Sequence, residues 1–309
     1  MPNKRMSSDP DNNLPYRGRF APSPTGPLHF GSLVCAVASF AQAKARGGTW
    51  LVRMEDLDPP REMAGAADDI LRTLAAHRLA WDEPVSYQSQ RHDRYQYWLD
   101  KLLQNGLAYR CRCSRKQIQE QQQALGINVY PGICKGQFVD TAEQHAVRLN
   151  GDDQTVSFQD HIQGQFGQNI AREVGDFVVR RADGWFAYQL AVVVDDEEQR
   201  ITEVVRGSDL LDNTPRQIYL QQLLKMRTPD YAHIPVATTG AGEKLSKQTF
   251  AKPVDNQHAV RNLVQCLTFL GQRPPPAQQF DDLEALWQWA IQHWNIDAVP
   301  GVTGICAES

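Results

Sequence analysis

The beginning of the chain alternates strand and helix, and this constrains the fold more than any other feature. Residues 16–21 are partly apolar, and a turn rich in proline and glycine at 22–27 separates them from 32–45, which has small and apolar residues at helical spacing. Gly47-Gly48 then ends the helical pattern as a C-cap would, and 49–54 is typical of a second strand. Strands that alternate with helices predict a parallel α/β sheet.

The rest of the chain continues this alternation with one interruption. Residues 110–173 are polar and rich in glutamine and lack the alternation, so we interpret them as part of an insertion. A loop rich in glycine, lysine and serine follows at 238–249. The remaining patterns are helical at 66–79, 94–105 and 214–224, and typical of buried strands at 186–194 and 201–205.

The composition limits the classes of location and partner. A length of 309 residues suggests two domains, or one domain with a large insertion. Residues 1–14 are polar and no apolar run of about 18 residues is present, so we expect a disordered leader, no membrane span and a cytoplasmic location. Because the net charge is −4, any nucleic acid would be held by local basic patches.

Residues 21–32 lie between the first strand and its helix, where a parallel sheet places its ligands. Gly31 would let a base or phosphate approach the backbone, and the start of the helix at Ser32 favours anionic oxygens. His29 could donate a hydrogen bond to a phosphate as negative charge develops there. The alternative for this short pattern is a proline-rich turn with an incidental surface histidine.

A second candidate element is the sequence Lys244-Leu-Ser246-Lys247-Gln248. Two lysines three residues apart, with a serine between them, could hold a triphosphate and follow its charge to pyrophosphate. Alone, this segment could equally be a solvated basic loop. It follows the last predicted strand, however, so it and His29 can converge on one edge of the sheet.

Four further residues lie where predicted strands end or begin. Arg19 and Arg206 are cations that could bind carboxylates, Glu55 could accept from an α-ammonium, and Tyr188 adds a hydroxyl. Each residue alone could be a member of a surface ion pair. As a set they predict a pocket with two cations and one anion, which suits an acidic amino acid.

These elements resemble the two signature sequences of class I aminoacyl-tRNA synthetases, and the wider pattern is similar to the glutamyl-tRNA synthetase family from about Tyr16 to Gln248. The motifs that carry the resemblance are Arg19-Phe-Ala-Pro-Ser-Pro-Thr-Gly26, Arg53-Met-Glu-Asp-Leu-Asp58, Tyr87-Gln-Ser-Gln-Arg91, Gly175-Asp-Phe-Val-Val-Arg180, Val193-Val-Asp-Asp196, Arg206-Gly-Ser-Asp209 and Asn213-Thr-Pro-Arg-Gln217.

The resemblance implies a Rossmann-type catalytic domain, formed by 15–109 and 186–250, that is split by an insertion at 110–185 contacting the RNA acceptor. A short helical region at 251–309 would follow, with an apolar stripe that we interpret as a packed face. Its residues are Leu283, Leu286, Trp287, Ala290, Ile291 and Trp294.

The resemblance also implies the substrates and the residues that hold them. ATP would bind with Mg²⁺, and His29 and Lys247 would be the catalytic residues. The implied glutamate-binding residues are Arg19, Phe20, Ala21, Pro22, Ser23, Glu55, Tyr188 and Arg206. The implied ATP-binding residues are His29, Gly31, Ser32, Lys244, Ser246 and Lys247.

The region after the second signature is too short for the anticodon-binding domain of a full-length synthetase. In this shortening the chain resembles the glutamyl-Q-tRNA(Asp) synthetases, which are truncated paralogues that glutamylate queuosine in the anticodon of tRNA(Asp). We therefore expect queuosine in tRNA(Asp) to be the acceptor, and we expect the protein to be a monomer. The alternatives are a short synthetase that charges tRNA(Glu), an inactive synthetase-like protein that binds glutamate or tRNA, and a small-molecule nucleotidyltransferase. The last does not explain Arg19, Glu55, Tyr188 and Arg206.

Three of the six cysteines cluster in the predicted insertion. Cys111, Cys113 and Cys134, together with Tyr130, offer three thiolates and a phenolate to one ion, and soft sulfur ligands in tetrahedral geometry favour zinc. His145 is an alternative fourth ligand, although the subgroup resemblance favours Tyr130. Reduced thiols without a metal are the other interpretation.

The remaining cysteines, Cys35, Cys266 and Cys306, are isolated in the sequence and are predicted to be packing residues. Basic residues next to the clustered cysteines could hold RNA phosphates. They are Arg110, Arg112, Arg115 and Lys116.

Overall fold

The predicted opening of the fold is present in the computed structural model, which describes residues 14–240, 242–245 and 252–307. Residues 1–13 of the predicted leader lie outside the described residues, as do Ser246 and Lys247. The first elements are β1 (Arg17–Phe20), α1 (Phe30–Ala45), β2 (Thr49–Met54), α2 (Ala66–Ala76), β3 (Ser86–Tyr87) and α3 (His92–Gln104). Strands β1, β2 and β3 pair in parallel, as the alternation predicts.

Helix α1 ends where the two glycines predict. Gly47 has a φ of 63°, a left-handed conformation that favours glycine after a helix. A Cβ on Gly48 would lie 2.5 Å from the carbonyl oxygen of Tyr16, so only glycine lets the chain turn back beside β1. The backbone therefore enters β2 next to β1.

The middle of the chain forms an antiparallel sheet and a hairpin. Its elements are β4 (Ala108–Cys111), α4 (Arg115–Leu125), β5 (Ala146–Leu149), β6 (Thr155–Asp160), β7 (Gly164–Asn169) and β8 (Val178–Arg180). Strands β4, β5 and β8 pair in that order, and β6 pairs with β7.

The second half of the chain returns to parallel pairing. Its elements are α5 (Tyr188–Glu198), β9 (Glu203–Gly207), α6 (Thr214–Leu224), β10 (Asp230–Ile234), β11 (Val236–Thr238), α7 (Ala259–Phe269), α8 (Leu283–His293) and β12 (Gly304–Cys306). Strand β10 pairs in parallel with both β9 and β6. Strand β9 lies beside β1, because the Thr202 N–H that precedes it donates to the Arg17 carbonyl at 2.9 Å.

The structure differs from the predictions in three places. Residues 188–198 form a helix, so the buried strand predicted at 186–194 is wrong. The apolar run is buried on nearly all sides of α5, and periodicity cannot separate a buried helix from a buried strand. Strand β6, predicted within the insertion at 110–185, joins the sheet of β9 and β10. The region after 250 is not only helical, because β12 pairs in parallel with β11.

The predicted apolar stripe on α8 is confirmed as a packed face. Leu286, Trp287 and Ala290 are buried in the same core as α1. The Trp287 ring lies 4.6 Å from that of Phe40, and its Nε1 donates to the His77 carbonyl. Within the part of the chain that the structure describes, no helix is long and apolar enough to cross a membrane.

Candidate active site

A cleft of about 770 Å³ opens at the carboxyl ends of β1, β2 and β9. This is where a parallel sheet places its ligands. Its lining includes all the predicted glutamate-binding residues and the described members of the predicted ATP-binding set. They are Arg19, Phe20, Ala21, Pro22, Ser23, His29, Gly31, Ser32, Glu55, Tyr188, Arg206 and Lys244.

His29 is the N-cap of α1. Its backbone N–H donates to the Ser32 hydroxyl at 2.9 Å, while its Nδ1 accepts from the Ser32 backbone N–H at 3.4 Å. A nitrogen that accepts from an N–H cannot carry a proton in the neutral ring, so the proton of neutral His29 is on Nε2. The cap therefore sets the tautomer in which Nε2 can donate to a ligand.

Gly31 lies against the same ring. A Cβ at this position would be 3.2 Å from Cε1 of His29 and 3.6 Å from the Cβ of Ala237 on β11. A side chain here would press on the imidazole and narrow the cleft. Gly31 therefore keeps room between His29 and β11, whereas the Ser32 hydroxyl is engaged with the backbone of His29.

A buried network of charges lies behind Arg19 and Glu55. Arg19 donates to both oxygens of Asp196, at 3.2 and 3.4 Å. Arg53 lies 2.8 Å from Asp196, 3.4 Å from Glu55 and 3.6 Å from Asp195. The edge of Arg19 formed by Nε and Nη2 is thus committed to the protein, which leaves its outer edge for a ligand.

Burial and these arginines have opposite effects on the pKa values of Asp196 and Glu55. Burial alone would raise the pKa of Asp196, but Arg19 and Arg53 hold it below its ordinary value. The pKa of Glu55 is raised, because its burial outweighs the stabilising effect of Arg53 and Arg19. A ligand ammonium group beside Glu55 would lower the pKa of this carboxyl group and so offset the effect of burial.

Arg206 lies at the carboxyl end of β9, one residue before its last, close to the predicted strand end, whereas Tyr188 is the first residue of helix α5 and not part of a strand. Nη1 of Arg206 donates to the Tyr188 hydroxyl at 3.3 Å. Because that oxygen accepts from Arg206, its own proton is available to a third group. Arg206 and Tyr188 thus form a pair of neighbouring donors in the cleft.

Lys244 also lines the cleft and forms an ion pair with Asp209. The Leu245 N–H donates to the Ala237 carbonyl at 2.7 Å, which ties the described part of the loop to β11. Asp209 belongs to the motif that begins at Arg206, but its pairing with Lys244 is not predicted by sequence.

Sequence reasoning also assigns no role to Arg53, Asp195, Asp196 and His233. A signal for the two aspartates exists, since adjacent acidic residues follow the apolar run that ends at Val194. Asp195 is fully buried and accepts from Gln88, Arg91 and Tyr95.

The predicted cysteine cluster is assembled by the fold. The sulfurs of Cys111, Cys113 and Cys134 lie within 4.8 Å of one another. The Tyr130 hydroxyl oxygen is 3.2 Å from the Cys111 sulfur and 3.4 Å from that of Cys113. His145 is outside this group of described ligand atoms, and its Nδ1 lies 2.7 Å from the Glu143 carbonyl.

The donor set of the cluster fits a tetrahedral ion of zinc type, with three thiol groups and one phenol oxygen converging on a small volume. Arg148 supports the phenol, because its guanidinium lies 3.8 Å from the centre of the Tyr130 ring. The Cys134 N–H also donates to the Tyr130 oxygen at 3.1 Å.

Of the predicted RNA-contacting residues, two already have acidic neighbours. Arg112 lies 3.3 Å from Glu143, and Lys116 lies 3.9 Å from Glu120. These pairs are exposed, so each contributes little to stability and can exchange its partner for a phosphate.

The sequence matches the family described as tRNA synthetases class I (E and Q), catalytic domain, over residues 16–280. A protein of Dechloromonas aromatica called glutamyl-Q tRNA(Asp) synthetase is 54% identical over 291 residues, which are 93% of this chain and 97% of that protein. One of Thiobacillus denitrificans with the same name is 54% identical over 285 residues, which cover 92% and 94%.

Solved structures share the fold. A glutamate tRNA ligase from Elizabethkingia meningosepticum in complex with its amino acid superposes with a TM-score of 0.78 at 24% identity, over 94% of this chain and 66% of that chain. Glutamate-tRNA synthetase from Elizabethkingia anophelis gives a TM-score of 0.79 at 23% identity, over 96% and 68%.

Proposed function

This chain belongs to the family of the glutamyl-Q tRNA(Asp) synthetases and carries the class I (E and Q) synthetase catalytic domain, and we propose that it activates glutamate with ATP and transfers the glutamyl group to queuosine in tRNA(Asp). The observation that carries this proposal is the convergence of Arg19, Glu55 and Arg206 with His29 and Lys244 in one cleft. A tRNA substrate makes the cytoplasm the expected compartment.

The cleft offers complementary groups to each charge of glutamate. Glu55 accepts from the α-ammonium group, the outer edge of Arg19 binds one carboxylate, and Arg206 with Tyr188 binds the other. Ala21, Pro22 and Ser23, together with Phe20, form the wall next to Arg19. Glutamine lacks one carboxylate, so its binding would leave a cation desolvated without a counter-ion.

Activation requires in-line displacement at the α-phosphorus of ATP. A carboxylate oxygen of glutamate attacks the phosphorus, the bond to the bridging oxygen breaks, and pyrophosphate leaves. His29 donates from Nε2 to a phosphate oxygen, while Lys244, Ser246 and Lys247 hold the departing charge together with Mg²⁺ bound to ATP.

Transfer then uses a hydroxyl of queuosine. Its oxygen attacks the carbonyl carbon of the glutamyl adenylate, the hydroxyl proton is lost, and AMP leaves. Arg110, Arg112, Arg115 and Lys116 would hold phosphates of the anticodon arm, which gives an affinity that falls with salt.

One zinc ion held by Cys111, Cys113, Cys134 and Tyr130 completes the proposal. The approach of the Tyr130 oxygen to two of the sulfurs favours it over His145 as the fourth ligand. The ion would stabilise the segment between β4 and β5 and would not take part in activation.

Two assays test the proposed reactions. Pyrophosphate exchange should depend on glutamate and not on tRNA, and glutamine should be a poor substrate. Equal rates with both amino acids would contradict the assigned pocket. Labelled glutamate should be transferred to tRNA(Asp) that carries queuosine, and periodate treatment of that tRNA before the reaction should prevent the transfer. Efficient labelling of tRNA(Glu), or of tRNA(Asp) without queuosine, would instead indicate an ordinary synthetase.

A further inference from the structure

A buried line of side chains crosses three neighbouring strands behind the cleft. Asp160 ends β6, His233 lies on β10, and Arg206 lies on β9 directly across from His233 in the parallel register. The side chains of Asp160 and His233 are fully buried, and Arg206 is 5% exposed. Asp160 and His233 therefore have no bulk water that could replace a lost partner, and Arg206 meets solvent only where it lines the cleft.

The hydrogen bonds define the protonation of His233. Its Nδ1 lies 2.5 Å from Oδ2 of Asp160, and its Nε2 accepts from Nε of Arg206 at 3.0 Å. An arginine N–H can only donate, so Nε2 must be an unprotonated acceptor and Nδ1 must carry the proton that Asp160 accepts. His233 is therefore neutral and held in one tautomer.

Asp160 is fixed in turn by the backbone. Its Oδ1 accepts from the N–H groups of Ile162, Gln163 and His233, at 3.0, 2.9 and 3.0 Å. These bonds orient the carboxylate so that only Oδ2 faces the imidazole. The loop after β6 thus orients the Asp160 carboxylate, and that carboxylate positions the ring of His233.

Arg206 differs from the other arginines of the site in its partners. It donates to His233, Tyr188, the Thr214 hydroxyl at 2.7 Å and the Leu210 carbonyl at 3.5 Å. Within the described residues these partners are all uncharged, whereas Arg19 shares the charge of Asp196. Four of the five N–H groups are used, and one on Nη1 remains for a ligand.

From this arrangement, and on the premise of the proposed glutamate activation, we infer that His233, oriented by Asp160, is a positioning residue for amino-acid specificity. It holds the Arg206 guanidinium in place without neutralising it, so that the full charge serves a substrate carboxylate. An acidic residue in direct contact would fix the guanidinium equally well but would compete with that carboxylate.

Kinetics of wild-type protein and three variants test the role. His233→Leu removes the acceptor and should raise the KM for glutamate by about tenfold or more, as the loss of one charge-assisted contact does, with the KM for ATP within about twofold of wild type. His233→Gln can present an oxygen to Arg206 and should lie closer to wild type. In Asp160→Asn, the side-chain oxygen can still accept from the backbone N–H groups, but the amide nitrogen donates to Nδ1 of His233. The histidine proton then moves to Nε2, where it opposes the Arg206 N–H. This variant should therefore also raise the KM for glutamate.

The matched control is His77→Leu, which removes another fully buried histidine away from the cleft lining. It should lower the melting temperature without changing the KM for glutamate. A wild-type KM for glutamate in folded His233→Leu or Asp160→Asn protein would overturn the inference, since a merely structural role affects stability alone.

Nitrogen-15 NMR of the imidazoles supplies a readout that needs no substrate. The His233 signals, assigned by their loss in His233→Gln, should show a protonated Nδ1 and an unprotonated Nε2 at neutral pH. A protonated Nε2 would overturn the inference. Failure of the proposed function would appear differently, as wild-type protein that has this tautomer but no glutamate-dependent pyrophosphate exchange.

Discussion

Arg53 forms a buried ion pair with Asp196, with 2.8 Å between nitrogen and oxygen and side chains that are 0% and 7% exposed. The same carboxylate accepts from Arg19, so one buried anion orients an arginine of the cleft and an arginine of the core. Arg53 in turn lies next to Glu55. The positions of Arg19 on β1 and of Glu55, directly after β2, therefore depend on a residue of α5 that does not line the cleft.

Asp196→Asn should destabilise the fold by about 3 kcal/mol, because breaking a buried ion pair leaves two arginines with an uncompensated charge. Urea unfolding at neutral pH measures the loss. The control is Asp153→Asn, which breaks the exposed pair with Arg172 and should leave the unfolding midpoint unchanged. Equal midpoints for Asp196→Asn and wild type would show that Asp195 and Glu55 alone balance the arginines.

His29→Asn should separate the structural role of His29 from its chemical role. Asparagine is a good N-cap, so the stability of α1 should be retained, but its amide is shorter than the imidazole and should not reach the phosphate that Nε2 is proposed to contact. We expect the rate of pyrophosphate exchange to fall by on the order of a hundredfold with little change in the melting temperature. His29→Ala should lose the cap as well, at a cost of about 1 kcal/mol. Full activity of the asparagine variant would reduce His29 to a cap.

Purified protein should contain about one zinc ion per chain, as expected for a single tetrahedral site. Cys134→Ser should lower the zinc content and the melting temperature, and it should reduce transfer to tRNA more than activation of glutamate. Cys306→Ser is the control for both measurements, because Cys306 is exposed, and its predicted role as a packing residue is wrong. Elemental analysis that finds no metal in carefully purified wild-type protein would contradict the assignment.

The parts of the site that sequence predicts are those that follow from local pattern. Arg19, Glu55 and Arg206 lie at or just after the ends of parallel strands, and such ends meet at one edge of a sheet, so their convergence can be expected once the strands are assigned. The cysteines are close in sequence, and their chemistry is specific enough to indicate a shared ligand.

The remaining parts depend on tertiary contacts that leave no local signal. Asp160 and His233 are 73 residues apart, and His233 and Arg206 are 27 apart. Only the register of β6, β9 and β10 brings them together. The sequence predicts a strand where helix α5 begins at Tyr188, because the helix is buried on nearly all sides. Its apolar residues then lack the period that distinguishes a helix from a strand.

His77 should contribute to the pH dependence of the free energy of unfolding. This residue is fully buried, its Nδ1 lies 2.8 Å from the Thr73 carbonyl, and its Nε2 accepts from the Asn262 amide at 3.0 Å. Burial lowers the pKa of His77 below its ordinary value, so the folded protein keeps the ring neutral at a pH where the unfolded chain binds a proton. The unfolded state is then favoured as the pH falls, and the stabilisation is complete only above about pH 6.5.

Urea unfolding gives the free energy of unfolding at pH 7.5 and at a pH of about 5.5. The value at pH 7.5 minus the value at the lower pH should be smaller for His77→Gln than for wild type. One proton can change this difference by at most about 1.4 kcal/mol per pH unit. His161 provides a control of opposite sign. Its Nδ1 lies 2.9 Å from Oε1 of Glu203, and this carboxylate raises the pKa of His161. The contribution of His161 to stability is therefore present below about pH 6.5 and is lost as the pH rises through the raised value. The free energy of unfolding at pH 7.5 minus that at the lower pH should therefore be larger in His161→Gln than in wild type, whereas it should be smaller in His77→Gln. An unchanged or enlarged difference in His77→Gln would contradict the neutral state of His77 in the folded protein.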